Sequence, residues 1–179
     1  MDFPELWIPP YVINTSSFYS NGQIARAIGA TAVAPGSTAW PSANRALYVP
    51  VCLPGRFVVR SIFLANGATV SGNIDLGIYD AGGARIVSTG STAQSGTTAL
   101  QIIVLGTPII LTSGNYYMAC AIDNITATAT AWADTLLQTQ HYGMLQQDTA
   151  FVLPASATFA ACTATFSPQM GISSLASGF

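Results

Sequence analysis

The chain of 179 residues contains no lysine, one histidine and few charges of either sign. Charged side chains make up 7% of the sequence, against about 25% in an average soluble domain, and the formal net charge is −2. The basic residues are five scattered arginines, namely Arg26, Arg45, Arg56, Arg60 and Arg85. Because nucleic-acid binding relies on clustered lysine and arginine, the sequence predicts no nucleic-acid partner.

Cysteine is also scarce. Cys52, Cys120 and Cys162 are far apart and lie in apolar or small-residue surroundings. No pair has the spacing of metal ligands, so we expect buried, reduced thiols, with one disulfide and one remaining thiol as the alternative.

Targeting and membrane segments are not apparent. The first residues, MDFPELWIPPYV, carry acids and prolines where a secretion signal needs a basic and then an apolar stretch. No window approaches the ~20 uninterrupted apolar residues of a membrane-spanning helix. We therefore expect neither a secretion signal nor a membrane span.

Short apolar runs separated by turn residues begin near residue 46. They include ALYVPVCLPG, RFVVRSIFLANG, TALQIIVLG, TPIILTSG and NYYMACAIDN. Eight to ten such strands without a convincing amphipathic helix predict an all-β fold, an antiparallel β-sandwich of jelly-roll type. Pro108 is expected at a strand start, and Tyr116, Met118, Cys120 and Ile122 are expected to face the core.

The stretch GNIDLGIYDAGGARIVSTGS, residues 72–91, predicts a β-hairpin. Ile74, Leu76 and Ile78 alternate with Asn73, Asp75, Gly77 and Tyr79, as in a strand with one buried face. The sequence Asp-Ala-Gly-Gly at residues 80–83 supplies the turn. We expect the opposite face, with Asn73, Asp75 and Tyr79, to be solvent-exposed or a contact surface.

The first 44 residues form an extended N-terminal arm in our interpretation, followed by the sandwich domain and its short tail at residues 45–179. The arm lacks sustained periodicity, and residues 22–30 alone could form a short helical turn. It carries large apolar side chains that would each forgo about 1.5–3 kcal/mol of burial in water. We predict that these side chains are interface anchors: Phe3, Leu6, Trp7, Ile8, Tyr11 and Phe18.

Catalytic and metal-binding patterns are weak. His141 lies in QTQHYGML, at an expected loop–strand junction, and no nucleophile motif accompanies it. Asp75 and Asp123 could form a carboxylate pair, and Asp80 and Asp123 a calcium site, but aspartates at these places are typical of turns. We predict no enzyme, no cofactor and no metal.

A carbohydrate site is the alternative binding hypothesis. Trp132, His141 and Tyr142 could stack on a sugar ring, with the amides of nearby glutamines binding its hydroxyls. The glutamines concerned are Gln138, Gln140, Gln146 and Gln147. Core packing of the tryptophan is the competing interpretation.

Three segments together resemble a family of proteins encoded among the virion genes of tailed bacteriophages. They are VSGNIDLGIYDAGGARIVSTGSTAQSGTTALQ, LTSGNYYMACAIDN and FVLPASATF, and the similarity spans roughly residues 45–172. The first 19 residues, MDFPELWIPPYVINTSSFY, are not matched.

The resemblance implies a virion component, such as a head decoration or cement protein or a neck or tail accessory protein, made in the host cytoplasm. Its partners would be further copies of itself, expected as a trimer, and another virion protein such as a capsid or tail protein. A carbohydrate-binding host-attachment module is the alternative function.

Overall fold

The computed structural model describes residues 18–20 and 35–176, which are almost entirely antiparallel strands and connecting loops. The all-β prediction is confirmed. The first strands are β1 (Phe18–Ser20), β2 (Gly36–Ala39), β3 (Arg45–Leu53), β4 (Phe57–Ala65), β5 (Asn73–Asp80), β6 (Arg85–Ser88) and β7 (Thr92–Ala93). They are followed by β8 (Leu100–Leu111), β9 (Gly114–Ile122), β10 (Thr128–Ala133), helix α1 (Leu136–His141), β11 (Leu145–Gln147), β12 (Ala160–Ala161), β13 (Phe166–Pro168) and β14 (Met170–Ser173).

The strands form three sheets. The largest has the order β12-β11-β3-β9-β5-β6, with β7 also pairing with β5. A four-stranded sheet has the order β1-β14-β4-β8, and a three-stranded sheet the order β13-β10-β2. Each pairing between these strands is antiparallel.

One apolar core joins the three sheets. Alternate residues of β3, β5 and β9 point into it, and residues of β4, β8, β10 and β14 complete it. The predicted core residues Met118, Cys120 and Ile122 are fully buried there, and Tyr116 packs against it while partly exposed. The alternation that predicted strands therefore also identified the core face.

The hairpin of β5 and β6 is confirmed. Asp80 closes its turn, since its Oδ1 accepts a hydrogen bond of 2.9 Å from the Ala84 N–H. Gly83 has a φ of +88°, a conformation that glycine adopts without a Cβ clash.

The expectation of a single buried face in β5 is wrong. Asp75 and Tyr79 are fully buried, because residues 150–159, which we call the cover, pack over this side of the sheet. The cover and the sheet enclose a second apolar core. Tyr48 contributes to the same second core, and its ring meets that of Tyr79 edge-on at a centroid distance of 5.2 Å. At Gly77 a Cβ atom would lie 2.8 Å from the Leu153 Cδ1 atom, so the cover leaves no room for a side chain.

Asp75 links this cover to the sheet. Its Oδ1 accepts a hydrogen bond of 2.7 Å from the Ser88 hydroxyl, and its Oδ2 accepts one of 2.9 Å from the Leu153 N–H. The Thr89 hydroxyl adds a longer bond of 3.3 Å to Oδ1. A carboxylate expected on an open face is thus a buried acceptor between β5, β6 and the cover.

The two apolar runs on either side of Gly106 form one strand instead of two. Pro108 lies inside β8 and not at a strand start, which corrects the sequence prediction. The pairing with β4 jumps here, from Val104 opposite Ser61 to Ile109 opposite Val59. Such an irregularity tolerates a residue that has no N–H to donate.

Helix α1 is a short element that the sequence analysis did not predict. The Thr135 side chain accepts from the Gln138 N–H, and the Gln138 side chain accepts from the Thr135 N–H, which forms a capping box. His141 is the last residue of this helix and does not lie at a loop–strand junction.

Part of the arm belongs to the folded body. Strand β2 pairs with β10, and Trp40 is 2% exposed in the core, with its indole N–H donating to the Arg45 carbonyl at 2.9 Å. Strand β1, which contains Phe18, pairs with β14. The other predicted anchors, Phe3, Leu6, Trp7, Ile8 and Tyr11, and the helical turn at residues 22–30 lie outside the described residues.

We predict that Asp75→Ala lowers the free energy of unfolding by roughly 2–4 kcal/mol, because the Leu153 N–H and the Ser88 hydroxyl lose their acceptor. Urea denaturation followed by tryptophan fluorescence measures the loss. The control is Asp148→Ala, which removes a carboxylate 61% exposed and paired with Arg45, and should cost at most about 1 kcal/mol. Equal effects of the two changes would contradict the role of Asp75.

Candidate functional site

The predicted carbohydrate site lies on β10 and α1. Trp132 is partly exposed in β10 opposite Ser167, while His141 is exposed and Tyr142 partly exposed at the end of α1. Burial and then the charge of Asp134 raise the pKa of Tyr142. The glycan site at Trp132, His141 and Tyr142 stays a prediction.

The glutamine amides near this site bind the chain itself. Gln138 caps α1, and the Gln140 Nε2 atom donates to the Cys162 carbonyl at 3.2 Å. Gln146 accepts from the Thr163 N–H at 2.9 Å, and Gln147 accepts from the Tyr48 hydroxyl at 3.1 Å. These amides hold the segment after α1 in place, which leaves them less able to bind sugar hydroxyls.

Asp134 is a polar group that the sequence analysis did not single out. Its Oδ2 atom is buried and has no hydrogen-bond partner among the residues that the structure describes. Burial raises the pKa of this carboxyl. No local pattern signals this site, because its burial comes from strand pairing distant in sequence.

Asp80 and Asp123, the two acids weighed for a calcium site, do not converge. Asp80 ends β5, whereas Asp123 follows β9 and accepts from Asn73 at the opposite end of β5. Burial acts to raise the pKa of Asp123, but hydrogen bonds from Asn124 and Asn73 outweigh it and lower the pKa. Within residues 18–20 and 35–176, no three His, Cys, Asp or Glu side chains are grouped to hold a metal ion.

A groove of about 390 Å³ lies at one end of the largest sheet, beside the hairpin turn. Its lining residues are Pro50, Val51, Cys52, Ala81, Asn115, Tyr116 and Tyr117. The expectation of buried thiols is confirmed for Cys120 and Cys162 and wrong for Cys52, which is exposed. The alternation of Val51, Cys52 and Leu53 contained this signal, since the outer two face the core.

Strand β8 carries three of the nine exposed large apolar side chains in the part of the chain that the structure describes. Leu100 is 39% exposed, Val104 51% and Ile110 56%, and no residue of the strand is charged. The strand lies at an edge of its four-stranded sheet. The sequence indicated a strand here, but only the strand order reveals that it is an edge.

Comparison of the chain with protein-family models, curated proteins and solved structures finds no match. In the part of the chain that the structure describes, no helix has the length and apolar character needed to cross a membrane.

We predict that one of the three thiols reacts with a maleimide in the native protein and all three in denaturant. Cys52 is exposed, whereas Cys120 and Cys162 are buried and burial raises the pKa of both thiols. Intact mass spectrometry after labelling counts the adducts. Labelling of native Cys52→Ser would contradict the assignment.

We predict that wild-type protein loses stability relative to Asp134→Asn as the pH rises from 3 to 7. The folded state raises the pKa of Asp134, so folding favours its protonated form. That contribution is present below the unfolded pKa of about 3.9 and is lost as the pH rises through the folded value. Melting temperatures across this range test the sign, and a constant difference between the two proteins would contradict it.

Proposed function

We propose that this protein is a structural component of a tailed-bacteriophage particle, a head decoration or cement protein or a neck or tail accessory protein. The observation that carries the proposal is the exposed, uncharged apolar edge of β8 on an otherwise well-packed all-β body. Large exposed apolar surfaces on soluble proteins mark interaction sites. The resemblance to virion proteins, which spans roughly residues 45–172, points to the same class.

A jelly-roll sandwich is the architecture that we propose for this component. Support comes from the two larger antiparallel sheets, which share one apolar core. Such sandwiches are common building blocks of viral shells. The second core beneath residues 150–159 stiffens the largest sheet, which suits a part that bears load in a particle.

The N-terminal arm is the proposed assembly device. Seventeen residues precede β1, and an extended chain of that length reaches about 60 Å, enough to contact a neighbouring subunit. The apolar side chains of this stretch, Phe3, Leu6, Trp7, Ile8 and Tyr11, supply anchors. Low charge across the chain reduces repulsion between subunits.

The carbohydrate-binding alternative draws less support. Trp132, His141 and Tyr142 lie on adjoining elements, but the amides around them are occupied within the chain. The particle function is therefore the one that we carry forward.

We predict that the purified chain co-sediments with particles of the phage that encodes it, and that a variant lacking residues 1–17 does so at least tenfold less. This deletion spares β2 and Trp40, which a deletion of the whole arm would remove from the core. The matched control replaces exposed Leu136 and Leu137 on α1 with serine, which removes apolar surface elsewhere and should leave co-sedimentation unchanged.

Quantitative mass spectrometry of the purified particles provides a second readout, the copy number per particle. A chain that remains in the supernatant and is absent from particles would refute the proposed function.

A further inference from the structure

The β8 edge has two unlike halves. In natural proteins, charged residues, prolines or breaks in register prevent an edge strand from pairing with another chain. Strand β8 has two of these features, and both lie in its second half. They are Pro108 and the register jump between Val104 and Ile109. Residues 100–104, which we call the open half, contain no charge, no proline and no register break.

The open half has β4 as its strand neighbour on one side, and no described strand pairs with its other side. Backbone N–H and C=O groups on a free side can bond to a further strand. The second half differs, because Pro108 has no N–H to offer.

The start of the open half is held rigidly. The Gln101 Oε1 atom accepts from the Ser95 N–H at 2.9 Å and from the Asn66 amide at 3.1 Å. The Gln101 Nε2 atom donates to the Ala93 carbonyl at 2.8 Å. An edge that is already ordered loses less conformational entropy when a strand pairs with it.

The outer face of the open half is apolar. Leu100 stands opposite Ala65 and Ile102 opposite Phe63, whereas Ile62 and Leu64 of β4 point into the core. Leu100, Ile102 and Val104 therefore share the face directed away from the core. Leu100 and Val104 are among the exposed large apolar side chains of the chain.

We propose that a second copy of this chain pairs antiparallel with the open half, about a two-fold axis at Ile102. Leu100 of each copy then faces Val104 of the other, and the two Ile102 side chains meet at the axis. The edge carries no charge that would select a different, charged partner, and self-pairing brings no like charges together. The two four-stranded sheets become one continuous sheet with an uninterrupted apolar stripe.

The size of the contact sets its strength. The five paired residues span about 17 Å, whereas a stable interface uses roughly 20–30 residues of each partner. The dimer is therefore weak and concentration-dependent in solution. The inference concerns the chain alone and does not depend on the proposed particle.

Sedimentation velocity of the full chain over a concentration series tests the pairing. We expect conversion from monomer to dimer as concentration rises, and a dissociation constant at least tenfold weaker for Val104→Lys, which places a lysine at each end of the paired strands. Ile110→Lys is the matched control, since Ile110 is 56% exposed, against 51% for Val104, but lies in the second half of the strand, beyond the register jump. Its dimerisation should be unchanged.

Cross-linking locates the axis independently. In a Cys52→Ser background, which removes the exposed native thiol, Ile102→Cys should form a disulfide-linked dimer on mild oxidation, and Ile110→Cys should not. Thermal melting confirms that each variant is folded before it is compared.

Three results would overturn the inference: a full chain that stays monomeric up to its solubility limit, dimerisation unaffected by Val104→Lys, or equal cross-linking at Ile102 and Ile110. A dimer that does not bind particles would refute the proposed function and leave this inference standing.

Discussion

The buried carboxylate of Asp75 is the constraint on which much of the structure depends. It lies on β5, the strand beside the β6 end of the largest sheet, and accepts hydrogen bonds from β6 and its following loop and from the covering residues 150–159. With this cover in place, β5 and the second half of β9 are buried on both faces, which is unusual for an antiparallel sheet that would otherwise face water on one side. The arrangement joins two apolar cores through one set of strands.

Two buried tyrosine hydroxyls donate hydrogen bonds within the second core. Tyr79 donates to the Pro154 carbonyl at 2.6 Å, and burial raises the pKa of its phenol, so the group stays a donor across the physiological range. Burial also raises the pKa of Tyr48, to about 12, and this phenol donates to Gln147. These two hydrogen bonds of the second core are neutral, and ordinary changes of pH or ionic strength do not weaken them.

Sequence patterns correctly predicted the features that depend on residues close together along the chain. Alternation placed Met118, Cys120 and Ile122 in the core, and the turn chemistry of residues 80–83 predicted the hairpin. The same patterns could not predict the burial of Asp75, because its partner Leu153 lies 78 residues further along the chain. The capping box of Thr135 and Gln138 was readable, but six residues of helix are too few for a periodic signal. Interfaces are harder still, since whether β8 is central or peripheral depends on the order of all strands in its sheet.

The lengths of the other edge strands bear on how far any assembly through β8 can grow. The largest sheet ends in β12, of two residues, and β6, of four; the four-stranded sheet ends opposite β8 in β1, of three. Among the strands that end the described sheets, β8 is therefore the longest. A contact that uses the same edge of both partners consumes it, so pairing closes on itself and cannot propagate into a fibre. Higher-order growth would need a chemically different surface, which separates the step that makes pairs from any step that builds an array.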